Sequence, residues 1–79
     1  KRFFEQAQSD LSSADLQRTQ QSIVMLKGYG DAKKEQQYLK TAKDLLVLLA
    51  RKPSLIRSLF PLFPSRYRYR IEKMASPGR

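Results

Sequence analysis

The sequence predicts an all-α fold, a compact bundle of five short helices, and three observations support this prediction. Apolar residues recur at intervals of three and four positions along most of the chain, which is the spacing of one helix face. Serine, aspartate, glycine and proline interrupt that spacing at positions suited to begin or end helices. Alternation of period two, which would favour a strand, extends only over 67–70. With 79 residues the chain makes one domain, which we expect to span 1–75, with a flexible tail over 76–79.

The first two helices are predicted on either side of a serine pair. The apolar residues that mark them are Phe4, Ala7 and Leu11 in the first and Leu16, Ile23 and Leu26 in the second. The first helix covers about 2–11. Ser12 or Ser13 caps the second, because either hydroxyl can accept a hydrogen bond from an unpaired backbone amide. The second helix covers 14–27 and ends where the Gly-Tyr-Gly segment 28–30 can adopt a left-handed conformation.

A third, central helix is predicted over about 32–52, with Asp31 as its cap. Its buried stripe comprises Tyr38, Ala42, Leu45, Leu46 and Leu49. Over 45–49 the apolar residues occupy nearly the whole circumference of the helix, which a helix with one solvent-exposed face does not need. We therefore expect this part of the helix to pack on two sides or to cover an interface.

Prolines delimit the last two helices. Pro53 suits the first position of a short fourth helix, because its missing N–H would have no partner there. Pro61 and Pro64 each disrupt a helical hydrogen-bond ladder, so we expect Leu62 and Phe63 in an extended or tight-turn connection. A fifth helix then runs to about position 75. Its predicted cap is Ser65, and its inward-facing residues are Tyr67, Ile71 and Met74.

The composition excludes several classes of site. The chain has no cysteine and no histidine, which removes disulfides, thiolate nucleophiles, cysteine-ligated zinc and the commonest general base. Asp31 and Glu35 lie one helical turn apart, but a cap and a surface charge explain them better than paired catalytic carboxylates. The longest apolar run, 45–50, is far shorter than the roughly 20 residues that span a bilayer. We therefore expect no enzymatic activity, no metal, no cofactor and no membrane partner.

Positive charge is concentrated near one end of the chain. Residues 51–79 carry eight basic residues and one acidic residue, a net charge of +7 out of +9 for the whole chain. Such a field attracts anionic partners, whether acidic protein segments or phosphates. The basic candidates for partner or phosphate contact are Arg51, Lys52, Arg57, Arg66, Arg68, Arg70 and Lys73.

The fifth helix offers two interpretations of its cations. Arg66, Arg70 and Lys73 recur at i, i+4 and i+7, so they form either a binding footprint or a solvated face. Tyr69 is the one ring of this helix outside the inward stripe, and it could stack on an exposed base of a single-stranded nucleic acid. Attachment to a membrane surface is less favoured, because the apolar residues of this helix are needed for the core.

A partner groove is predicted from residues that flank the packing stripes. The apolar candidates are Leu16, Ile23, Leu39, Leu46 and Leu55. The run over 45–49 serves mainly as core in this prediction, because a small helical domain needs a buried central helix. Part of that run would also line the groove.

The order of these features resembles the harmonin-homology domain. The residues that carry the resemblance are Phe3, Phe4, Leu11, Ser12, Ala14, Tyr29, Asp31, Leu45, Leu46, Leu49, Leu55, Leu59, Phe60, Phe63 and the segment 64–74. Within that family the chain is most similar to the copies that follow the motor of the regulator of telomere elongation helicase, an iron–sulfur DNA helicase of genome maintenance. It is also similar to the paired amphipathic helix domains of transcriptional corepressors, whose Leu-x-x-x-Phe-x-x-Phe-x-Pro signature is close to 59–64.

These resemblances imply a non-catalytic helical bundle that grips a partner's helix in an apolar groove. They imply a piece of a larger nuclear protein of DNA repair, replication or telomere maintenance, acting as an accessory domain of a helicase. The function expected from the sequence is therefore docking of an amphipathic or acidic helix in a groove with a basic rim. Direct binding of single-stranded nucleic acid through the basic end is the alternative, and the oligomeric state stays open.

Overall fold

The computed structural model describes residues 2–75, and within that range the chain is helical and contains no strand. The helices are α1 Arg2–Asp10, α2 Ser13–Asp31, α3 Glu35–Leu48, α4 Pro53–Leu59 and α5 Ser65–Ala75, with one 3-10 turn at Phe60–Leu62. The predicted all-α bundle of five helices is confirmed. The bundle measures 31 × 30 × 19 Å, so it is about two helix diameters thick. The predicted tail over 76–79 lies outside the described residues.

The central position belongs to α3. It packs along α2, to which a short turn over 32–34 joins it, and it also packs against α5. The first helix packs mainly on α4 and completes the other side of the bundle. Because α3 has neighbours on two sides, its core-facing surface is wider than that of a helix lying on a single partner.

The core draws residues from every helix. Its buried apolar members are Phe3, Ala7, Leu26, Tyr38, Ala42, Leu45, Leu46, Leu49, Leu55, Leu59, Phe63, Tyr67 and Ile71. The stripe predicted for α3 is therefore confirmed in full. Of the residues predicted to face inward from α5, Tyr67 and Ile71 are buried and Met74 is half-buried against the core.

Two predicted helix starts are confirmed at the atomic level. The Ser12 Oγ accepts a hydrogen bond from the Asp15 N–H at 3.3 Å, which caps α2. Pro53 is the first residue of α4, where a missing N–H costs nothing. Both features depend on local sequence alone, because the capping serine and the proline lie within three positions of the backbone groups that they affect.

The predicted end of α2 is wrong. The helix continues through Gly28, Tyr29 and Gly30 to Asp31, and the left-handed residue is Lys33, with φ of 59°. Gly30 serves close packing, because an added Cβ there would lie 3.4 Å from the ring of Tyr38. Tertiary packing of α2 on α3 therefore keeps this segment helical beyond the glycines.

Two predicted caps are also wrong. Asp31 is the last residue of α2, and α3 begins at Glu35 without a capping side chain. Ser65 is the first residue of α5, because the carbonyl of Pro64 accepts hydrogen bonds of 3.0 Å from the N–H groups of the third and fourth helical residues. Asp31 therefore lies inside α2, which ends later than predicted, and Ser65 lies inside α5, which begins one residue earlier than its predicted cap implies.

The connection between α4 and α5 combines the two predicted forms, a tight turn and an extended residue. Phe60–Leu62 form a 3-10 turn, and Phe63 has extended backbone angles, with φ of −79° and ψ of 137°. The Phe63 ring is 3% exposed and plugs the core as expected. A 3-10 turn accommodates the proline at 61 because its i to i+3 bonds begin after the proline nitrogen.

An aromatic cluster ties α3 to α5. The rings of Tyr38 and Tyr67 stack with centroids 3.9 Å apart and an interplanar angle of 12°, and Phe63 meets Tyr38 edge-on at 6.4 Å. Burial raises the pKa of the Tyr38 hydroxyl above its ordinary value, and the neighbouring Tyr67 raises it further. The cluster fixes the connection and both helices relative to each other.

The hydroxyl of Tyr67 predicts an unusual mutational result. The side chain is 1% exposed, and its hydroxyl has no hydrogen-bond partner among the described residues. Burying an unpaired hydroxyl costs about 1–3 kcal/mol, so Tyr67→Phe is expected to raise the free energy of unfolding by about 1 kcal/mol in urea denaturation. The control Tyr69→Phe changes an exposed ring and should leave stability unchanged. A loss of stability in Tyr67→Phe would contradict the prediction.

Candidate functional site

The five apolar residues predicted to line one groove do not come together. Leu55 is 0% exposed and belongs to the core, because α4 turns it toward α1 and the other buried leucines. Leu16 and Leu39 are half-buried at the edge of the core. Leu46 and Ile23 do line surface depressions, but two different ones. The predicted groove is therefore replaced by two separate concave surfaces.

The first surface, the α3–α5 groove, is open and shallow, with a volume of about 510 Å³. Its lining residues are Lys43, Leu46, Val47, Ala50, Ile56, Lys73 and Met74. Val47, in the last turn of α3, is 67% exposed. All of the lining side chains are apolar or basic, and none of them carries a carboxylate.

Helix geometry explains why these residues share the groove. Lys43, Val47 and Ala50 are spaced by four and three positions, so they lie on one side of α3. The core occupies the adjacent side, where Leu45 and Leu49 are buried. Val47 is therefore the exposed member of the otherwise largely buried 45–49 run, and it was not among the predicted groove residues.

The second surface, the α2–α4 cleft, is more enclosed and has a volume of about 380 Å³. Its lining residues are Phe4, Ile23, Leu26, Lys27, Gly30, Asp31, Tyr38, Leu59, Leu62, Phe63, Pro64 and Arg66. Leu62 is 48% exposed at this cleft, while Leu59 is almost fully buried. The charged residues of its lining are of both signs, Lys27 and Arg66 with Asp31.

The basic residues of α5 have four different environments. Arg68 is half-buried, and its Nη2 donates to the Phe63 carbonyl at 2.9 Å, so this predicted contact residue instead holds the α4–α5 connection. Arg70 pairs with Glu35 at 3.1 Å on the surface, a contact that adds little stability. Arg66 lines the α2–α4 cleft, and Lys73 lines the α3–α5 groove. The predicted row of cations is therefore divided between two surfaces.

The remaining predicted cations lie in and near the α3–α4 connection. Arg51, Lys52 and Arg57 are all exposed. The first two directly follow Ala50 in sequence, and Arg57 follows Ile56, so the chain carries them next to residues of the α3–α5 groove. None of the three is part of the groove lining, so they contribute to the positive field of this end of the chain and not to a defined contact.

Tyr69 is the exposed aromatic ring that the sequence predicted. It is 64% exposed, and the Lys73 Nζ lies 5.0 Å from its ring centroid. This distance is within the range of a cation–π contact, which positions the lysine beside the groove.

Among the residues described, no group of three acidic, histidine or cysteine side chains could hold a metal ion. A search of the described helices also finds none with the length and apolar character needed to cross a membrane. Comparison of the chain with family models, curated proteins and solved structures finds no match. The two concave surfaces are therefore the structural features that bear on function, and the resemblance to the harmonin-homology domain stays a prediction.

Proposed function

We propose that this domain is a non-catalytic docking module that binds an acidic amphipathic helix of a protein partner in the α3–α5 groove. The observation that carries the proposal is a groove whose lining is apolar except for two lysines, with Val47 67% exposed and no carboxylate in the lining. The apolar residues fit one face of a helix, and the lysines fit acidic residues on that helix.

In this proposal the apolar and the charged residues of the groove have different roles in binding. An apolar side chain removed from water contributes about 25 cal/mol for each Å² buried, so Val47, Ile56 and Met74 would supply most of the affinity. Lys43 and Lys73 would contribute mainly to the association rate and to the choice of an acidic partner. The net charge of +9 strengthens both effects at low salt.

The resemblance supports a proposal for the parent protein. A harmonin-homology domain next to a helicase motor would place this module in a nuclear protein of DNA repair, replication or telomere maintenance. The docking role and the parent protein are separate proposals, because the groove argument uses only the residues of this chain.

The docking proposal is tested by NMR titration of the domain with a model peptide. The probe is an 18-residue helix with leucines along one face and glutamates elsewhere, and the control peptide has lysines in place of the glutamates. We expect the glutamate peptide to shift the resonances of Val47, Ala50 and Met74, and the lysine peptide to bind far more weakly. Shifts concentrated at Leu62 would move the site to the α2–α4 cleft, and equal binding of both peptides would contradict the role of the lysines.

A second candidate function is binding of single-stranded nucleic acid, which the exposed ring of Tyr69 beside Lys73 favours. A base could stack on Tyr69 while lysines and arginines of the basic end contact phosphates. Titration with a 12-residue oligothymidine at 50 and 200 mM salt distinguishes the two functions. A steep loss of affinity with salt, together with weaker binding by Tyr69→Ala at both salt concentrations, would favour this candidate over protein docking.

A further inference from the structure

The α2–α4 cleft is more enclosed than the α3–α5 groove and shares no lining residue with it. An inference about the cleft is therefore independent of the proposed function. Its walls include Leu26, Tyr38, Leu59 and Phe63, each of which is 5% exposed or less. Because core packing fixes these side chains, the cleft is formed before any ligand binds.

The size of the cleft favours a small ligand. Its volume of about 380 Å³ lies within the range of roughly 300–1,000 Å³ that is typical of small-molecule sites. A single turn of α-helix, about 5.4 Å long and 10–12 Å wide, occupies about 400–600 Å³, so a partner's helix does not fit inside the cleft. A molecule of one or two fused rings does fit.

Aromatic side chains from three parts of the chain meet at the cleft. Phe4 belongs to α1, Tyr38 to α3 and Phe63 to the connection before α5. Phe63 already contacts Tyr38 edge-on, with 6.4 Å between the ring centroids. An aromatic ligand makes offset and edge-on contacts with such rings that an aliphatic ligand of equal size does not make. The lining therefore favours a flat aromatic ring.

Arg66 provides a positioned cation at the mouth of the cleft. Its guanidinium carbon lies 5.3 Å from the centroid of the Tyr67 ring, a cation–π contact that orients the side chain. Arg70 and Glu35 form the one ion pair among the described residues, so no carboxylate is in contact with Arg66. The planar guanidinium can therefore donate two parallel hydrogen bonds to the carboxylate of a ligand.

The other two charged residues of the lining have opposite signs. Lys27 and Asp31 lie one helical turn apart on α2, so their charges largely offset each other at the rim and Arg66 determines the charge that the cleft prefers. We propose that the α2–α4 cleft binds a small aromatic carboxylic acid. The ring of the ligand lies among the three aromatic side chains, and its carboxylate accepts hydrogen bonds from Arg66.

NMR titration of the domain with 2-naphthoic acid at pH 7, where its carboxyl group is ionised, tests the site. The control ligand is 2-naphthamide, which has the same rings and no charge. We expect the acid to shift the backbone amide resonances of Gly30, Leu62 and Arg66 and to bind with a Kd of about 1 mM or lower, an ordinary affinity for so small a ligand. The amide should bind at least about fivefold more weakly. Equal binding of acid and amide, shifts concentrated at Val47 and Ala50, or no shift at about 5 mM acid would overturn the proposal.

Arg66→Gln tests recognition of the carboxylate, and Arg70→Gln is the control, because it makes the same change of charge on the same helix. We expect Arg66→Gln to weaken binding of the acid at least about fivefold and to change binding of the amide by less than about twofold. Arg70→Gln should weaken binding of the acid by no more than about twofold. Equal losses in the two variants would assign binding to net charge, and loss of both ligands in Arg66→Gln would assign this residue to the shape of the cleft. Either result would overturn its role as the carboxylate receptor.

A six-residue peptide ending in tryptophan with a free carboxylate distinguishes a small acid from the carboxyl terminus of a partner protein. The peptide carries an aromatic ring and a carboxylate on a chain that the enclosed cleft does not accommodate. We expect it to bind more weakly than 2-naphthoic acid. Tighter binding of the peptide would show that the cleft recognises a protein terminus, and the assignment of a small-molecule ligand would be overturned.

Discussion

Replacing Val47 by glutamate is expected to lower the affinity of the domain for the acidic amphipathic peptide by at least about 30-fold, which corresponds to roughly 2 kcal/mol. The substitution removes an apolar side chain that is 67% exposed in the α3–α5 groove and sets a carboxylate against the glutamates of the peptide. Fluorescence anisotropy of the labelled peptide measures the change. Because Val47 is 67% exposed, the helical circular dichroism of the variant should match that of the unaltered domain.

Val24→Glu provides a matched control for this experiment. Both valines lie in helices and are exposed to a similar extent, 67% for Val47 and 72% for Val24, and both substitutions change the net charge equally. Only Val47 lines the groove, so Val24→Glu should weaken peptide binding by no more than about twofold through the overall charge. Equal losses in the two variants would mean that the peptide responds to net charge, and the groove would lose its assigned role.

Leu55→Ala is expected to lower the free energy of unfolding by about 2–5 kcal/mol. Leu55 is fully buried, so the substitution leaves a cavity under α4. A 79-residue domain has a total stability of about 4–12 kcal/mol, and the loss is therefore a large fraction of the whole. Urea denaturation followed by circular dichroism measures the shift of the midpoint.

Leu62→Ala is the control for this loss, because Leu62 is 48% exposed and the same atoms are removed. Its expected cost is less than about 1 kcal/mol. The comparison decides between core and groove for Leu55. A Leu55→Ala variant that keeps its stability but loses peptide binding would restore Leu55 to the partner groove that the sequence predicted.

The presence of each helix could be predicted because the sequence features that indicate a helix are local. The apolar stripe of α3, the Ser12 cap and the first-position Pro53 each depend on residues within one or two turns, and all three are confirmed. The end of α2 and the start of α3 were not predictable in the same way. Gly28 and Gly30 can end a helix, yet contact with α3 stabilises the helical conformation through Asp31.

The sequence by itself determined the all-α class, most of the core and the basic end of the chain, because periodicity and charge are properties of neighbouring residues. Only the tertiary structure decided that Leu55 is buried while Val47 is 67% exposed, and that Arg68 holds a connection while Lys73 lines a groove. The physical reason is that spacing assigns residues to a common helix face, whereas the packing of distant helices decides which faces remain uncovered.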